Sequence, residues 1–162
     1  MAQVTATYAQ RVGQRLRKQE SLAGMVQVWA ATGWADEGTP PHSASVTVRL
    51  PSPSDDPIEL ARAAAFILPK LFPEDLPGVR YARLGVVLVD LRPAGATPMF
   101  DLFSAGDREL GATLDSITQK LGRDAIGVGV GGLKTPPEWE MKRAMLSKRA
   151  TTEWNELCEA AA

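Results

Sequence analysis

One cysteine and one histidine in 162 residues leave little for metal, disulfide or nucleophilic chemistry to use. Cys158 alone excludes an internal disulfide framework and fits a reducing cytoplasm. His42 cannot complete a Cys/His zinc set, and it stands in a loop with no motif around it, so no Ser-His-Asp triad is credible. No apolar run reaches the roughly 18 residues of a membrane span, and no signal-peptide apolar core follows Met1. Excess charge is also lacking. The net charge is −1, so no global field announces a polyanionic partner. Charge is unevenly placed, however: residues 1–50 carry five Lys/Arg against three acids, and residues 51–133 carry eight against eleven. Contact with a polyanion must therefore use local patches. The carboxylates are scattered, and Asp55 and Asp56 suit a helix start better than a metal site. These absences leave no catalytic constellation, no cofactor and no membrane partner to expect.

At 44% hydrophobic, the chain can bury the core of one domain with an appendage. Residues 5–20 read as a helix, with Val4, Tyr8, Val12 and Leu16 every four positions and Arg11, Arg15 and Lys18 along one flank. That flank is either a solvated face or a cationic ridge beside a phosphate backbone. Residues 23–31 read as a strand centred on Met25, Val26, Gln27, Val28 and Trp29. Residues 43–50 alternate most clearly: Ala44, Val46, Val48 and Leu50 against Ser43, Ser45, Thr47 and Arg49. The second set offers hydroxyls and a guanidinium, as a surface meeting phosphates would, although a plain solvated face has the same pattern. A turn is expected over 51–54. A helix then starts at Asp55-Asp56-Pro57 and runs to about Leu68, where Pro69 should end or kink it. Residues 80–91 read as a strand buried on both faces, 107–121 as an amphipathic helix bearing Leu110, Leu114, Ile117 and Leu121, and 125–131 as a last strand. The expected fold is α+β: a two-layer sandwich, with a mostly antiparallel sheet of three to four strands packed by helices.

Three stretches stand out. Gly127-Val128-Gly129-Val130-Gly131-Gly132 spells a dinucleotide motif by letter, but Leu133-Lys134-Thr135-Pro136-Pro137 follows and cannot open the helix that motif needs. Met99-Phe100-Asp101-Leu102-Phe103 places large apolar groups where a loop should be polar, so it either folds onto its own core or drops into an apolar pocket on a partner. Trp139 to Trp154 is the least generic run: two tryptophans bracket four cations, two methionines and a Thr-Thr pair, with Met141 and Met145 at helical spacing and Lys142 and Arg143 facing water.

The last run, Trp139-x-Met141-Lys142-Arg143-x-Met145-Leu146-Ser147, resembles the C-terminal tail of the UmuC-like Y family of translesion DNA polymerases, the ImpB/MucB/SamB group. Other stretches resemble that family in order. They are Tyr8-Ala9 through Leu16-Arg17, Ser43-Ala44-Ser45-Val46, the strand from Tyr81 to Asp90, and Phe100-Asp101-Leu102-Phe103 where the family has Q-L-N-L-F. The resemblance implies a little finger domain over 1–133 and a tail region over 134–162. It implies a sheet backed by helices that sits against duplex DNA and contacts phosphates rather than bases. It also implies a sliding-clamp docking peptide, by position Met99, Phe100, Asp101, Leu102 and Phe103, and a cytoplasmic role in SOS mutagenesis and damage tolerance. UmuD-like and RecA-like partners are implied too, with Trp139, Met141, Lys142, Arg143 and Trp154 as the tail's interaction residues. Ser45, Thr47, Arg49, Arg83, Arg11 and Arg15 are the candidates for phosphate contact, chosen on alternation and charge rather than on a family motif.

The departures carry expectations of their own. Met99 stands where the family's clamp peptide has Gln, which removes a polar anchor. Lys148 and Ala150 stand where the tail has Pro and Tyr. The palm carboxylates of a polymerase have no counterpart here, so the chain is expected to be a non-catalytic C-terminal piece, excised or from a split gene. The family's first little-finger strand also has no counterpart, and an open sheet edge invites a homodimer. The reading from another class is a protein-interaction module that recruits repair partners with little direct DNA contact; the near-neutral charge favours it.

Overall fold

The structure is a computed structural model. It describes residues 1–33, 41–72, 79–96, 108–122, 125–131, 147–149, 153 and 155. The described elements run α1 (Ala2–Lys18), β1 (Ser21–Thr32), β2 (Ser43–Ser54), α2 (Pro57–Leu71), β3 (Tyr81–Pro93) and α3 (Arg108–Leu121), with single 3-10 turns at Ala94–Ala96 and Gly129–Gly131. The strands form one antiparallel sheet in the order β2-β1-β3. Helices α1 and α2 cover one face, so the expected α+β architecture holds with three strands.

Each element follows from local chemistry. Asp56 caps α2, its Oδ1 accepting from the Ile58 amide at 2.7 Å, and Pro57 fills the first turn, where no intrahelical donor is needed. α1 buries Thr5, Ala6, Ala9, Gly13 and Leu16. Val4, Tyr8 and Val12, expected to form that stripe, are only half-buried. The small residues win because α2 comes close. A Cβ on Gly13 would lie 3.1 Å from Leu60 Cδ1, and Leu60 is fully buried. The core is then Val26 and Val28 of β1, Val86 of β3 and Leu50 of β2, beneath Leu60, Ala64, Ile67 and Leu71 of α2.

Four expectations are corrected. No turn separates residues 51–54 from the strand. β2 continues to Ser54, past a register shift opposite Ala23/Met25, and its prolines are tolerated because β2 is an edge strand. Pro69 does not end α2, which runs on to the fully buried Leu71; so near the C-terminus, packing outweighs the missing amide. β3 is not buried on both faces: Val87, Val89 and Leu91 are 40%, 38% and 51% exposed. Residues 125–131 form no strand. Gly129 takes a left-handed φ of 57° inside a 3-10 turn, and glycines offer a strand no side chains to pack.

Candidate nucleic-acid interface: the bare face of the sheet

Side chains alternate across a sheet, so the pairing registers assign every strand residue to a layer. Val26 pairs with Val48 and Leu88, and Val28 with Val46 and Val86; these point to the helices. The alternate residues form four rows on the other face. Ser43, Ala31 and Arg83 make the first row; Ser45, Trp29 and Gly85 the second; Thr47, Gln27 and Val87 the third; Arg49, Met25 and Val89 the fourth. Two guanidiniums stand at the two ends of this face, and no carboxylate belongs to any row. Along the strands the arginines are about 20 Å apart, at ~3.3 Å per residue. In a chain of net charge −1, these rows carry charge of one sign among the described residues.

Local contacts order the Arg83 end of this face. Arg83 donates from Nη2 to the Thr32 carbonyl at 3.1 Å. Thr32 and His42 close the base of the β1–β2 hairpin, the Thr32 amide donating to the His42 carbonyl at 3.0 Å and the His42 amide to Thr32 Oγ1 at 3.0 Å. Tyr81 shares a hydrogen bond with His42 Nδ1 at 3.0 Å and packs edge-on against Phe72, which ties the start of β3 to the same corner. The face divides lengthwise. Its β2 side is hydroxyls and Arg49, with Gln27 donating to Ser45 Oγ at 2.9 Å; its β3 side is Gly85, Val87 and Val89, with Arg83 at one end.

The structure thus brings four of the residues chosen from sequence, Ser45, Thr47, Arg49 and Arg83, onto one face, all of them exposed. Arg11 and Arg15 lie elsewhere, on α1 in the helix layer, where Arg11 sits over the Tyr8 ring at 6.0 Å. Residues 99–103 and Trp139, Met141, Lys142, Arg143 and Trp154 lie outside the described residues. Trp29, Gln27 and Gly85 belong to the face and were not singled out. Their phase in β1 and β3 is the signal that finds them once the burial of Val26 and Val28 is known. Arg17 was also missed. It donates from Nε and Nη2 to both Asp115 oxygens at 2.7 and 2.8 Å, and from Nη1 to the Asp55 carbonyl at 2.7 Å. One side chain therefore joins α1, α3 and the β2–α2 corner. No helix among the described residues is long and apolar enough to cross a membrane.

An α+β domain with one sheet face packed by helices and the other, among the described residues, uncovered and carrying two arginines is the class that these observations define. Residues 1–99 match the model of the impB/mucB/samB family C-terminal domain, and residues 108–160 match a domain of unknown function, DUF4113. The chain belongs to the impB/mucB/samB family and is a UmuC-like C-terminal region. It is similar to Protein ImpB of Salmonella typhimurium, 33% identical over 161 residues. It is also similar to Protein UmuC of Salmonella typhimurium strain LT2, 29% identical over 162 residues, and to Protein SamB of Salmonella typhimurium, 25% identical over 158. Each comparison covers 97% of this chain and 37% of the relative, so the chain spans little more than a third of the length of these curated relatives.

Proposed function

We propose that this chain is the DNA-binding and clamp-docking part of a UmuC-like translesion DNA polymerase, acting in DNA damage tolerance and without polymerase activity of its own. The observation that carries the reading is the sheet face turned away from α1 and α2, where Arg49 and Arg83 stand with Ser43, Ser45 and Thr47. Guanidiniums and hydroxyls of this kind bind phosphate oxygens without reading sequence, which suits an enzyme that must pass a damaged base. The domain over 1–133 would hold the DNA, residues 99–103 would engage the sliding clamp through Phe100, Leu102 and Phe103, and the tail over 134–162 would recruit partners such as UmuD-like and RecA-like proteins.

Titration of the full chain against DNA at several salt concentrations tests this reading. Affinity should fall with salt. Arg49→Ala and Arg83→Ala should each flatten the slope of log K against log salt by about 0.9 on duplex, as one lost phosphate contact does. A folded chain that binds no DNA at low salt would overturn the reading. If that chain still binds the clamp, and loses it in a Leu102→Ala/Phe103→Ala variant, the protein-interaction module is the correct alternative.

A further inference from the structure

Among the described residues, helix α3 is held by polar contact more than by a packed core. No α3 side chain belongs to the core cluster or packs against it. Leu110, Leu114 and Ile117 are only half-buried, Leu121 is 74% exposed, and Gly111 is the buried position. Cavities of about 60 Å³ and about 780 Å³ flank the Arg17–Asp115 fork, and Gln14, Arg17, Asp115 and Thr118 line both. The fork therefore bridges a gap that apolar packing leaves open. Both helices make room for it. An added Cβ on Gly111 would lie 2.9 Å from Arg17 Cδ and 3.1 Å from Nε, and one on Gly13 would lie 3.4 Å from Nη1. The contact also joins the two matched segments, since Arg17 lies within residues 1–99 and Asp115 within 108–160.

We propose that α3 is a strap that opens and closes on α1 as a unit, with the Arg17–Asp115 fork as its latch. The latch then sets whether α3 is held against residues 1–99. This inference is independent of the DNA-binding reading. Its physical basis is the kind of contact that closes the strap. An element with few buried apolar contacts opens at a lower free energy than the core does. Apolar burial gains in proportion to area removed from water, and α3 removes little. A bidentate pair at 2.7 and 2.8 Å is directional, and with side chains 11% and 28% exposed it is stronger than a fully exposed pair. Being partly exposed, it is also weakened by salt. An α-helix of 14 residues is marginal alone in water, so an opened α3 loses its helical hydrogen bonds and its amides exchange.

The experiment is native-state hydrogen exchange of the full chain, followed at several urea concentrations below global unfolding and at low and high NaCl. In wild type, the α3 amides should exchange faster than those of β1 and α2 and with a weaker dependence on urea, because opening a strap exposes little surface. Salt should speed their exchange. Asp115→Asn keeps the shape and removes the charge; it should raise α3 exchange about tenfold, keep the weak urea dependence and abolish the salt effect. Asp56→Ala, which removes the α2 cap, separates the latch from a general loss of stability. It should speed exchange in β1 and α2 and leave the opening of α3 as in wild type. Exchange of α3 in step with β1 and α2 at every urea concentration would overturn the strap, and this wild-type measurement needs no variant to fold. Equal α3 exchange in Asp115→Asn and wild type would overturn the latch.

Discussion

Arg17 shows how much one side chain can organise. Its fork meets Asp115 through two hydrogen bonds, while its third nitrogen takes the Asp55 carbonyl. The guanidinium side is 11% exposed and the carboxylate side 28%, so water screens the pair only in part. A fully exposed pair would contribute close to nothing, whereas here the bidentate geometry and partial burial count. Arg17→Met keeps most of the apolar stem and removes the fork. It should lower the stability of the full chain by about 1–3 kcal/mol, the cost of unsatisfied, partly buried charged groups. Urea unfolding checks this, and a midpoint equal to wild type would show that solvent replaces the fork. Nothing in the local sequence separates Arg17 from Arg11, Arg15 and Lys18. All four are cations on one helix, and only the position of α3 decides which is structural.

At the scale of elements, the helices were legible because their signals are local. Asp55-Asp56-Pro57 announces a helix start, and Asp56 is the cap. Removing the cap with Asp56→Ala should cost about 1 kcal/mol and lower the melting temperature by roughly 2–4 °C; an unchanged melting curve would mean that Pro57 and core packing suffice. β2 was legible for a similar reason. Its strict alternation from Ser43 to Leu50 places Ser45, Thr47 and Arg49 on one side whatever the partner strands do. β3 misled, because Val86, Val87, Leu88 and Val89 in a row look like a strand covered on both sides. Among the described residues, the second cover does not exist, and the apolar strip of Val87, Val89 and Leu91 stands exposed. The glycine-rich 125–131 misled in the opposite sense, since alternation of valine with glycine mimics a strand while the left-handed Gly129 breaks it.

At the scale of the molecule, the sheet order β2-β1-β3 leaves the outer edges of β2 and β3 unpaired among the described residues. An exposed edge with an apolar strip beside it is a template for another strand. We therefore expect this chain to self-associate through β3 as its concentration rises. Val87→Lys together with Leu91→Lys should keep it monomeric, since lysines on an edge strand oppose pairing. Sedimentation velocity over a concentration series reads this directly, and a constant monomer mass for wild type would remove the idea.

The sequence by itself determined the periodicities, and through them the α+β class, the cap of α2, and the face of β2 that carries Ser45, Thr47 and Arg49. These depend on neighbours a few positions away. Only the tertiary structure decided which surfaces meet. It put Arg83 and Trp29 on the face of Arg49, sent Arg11 and Arg15 to the opposite layer, and paired Arg17 with Asp115. The physical reason is that register and layer assignment are set by contacts between segments far apart in the chain, where a shift of a single residue sends a side chain to the other face.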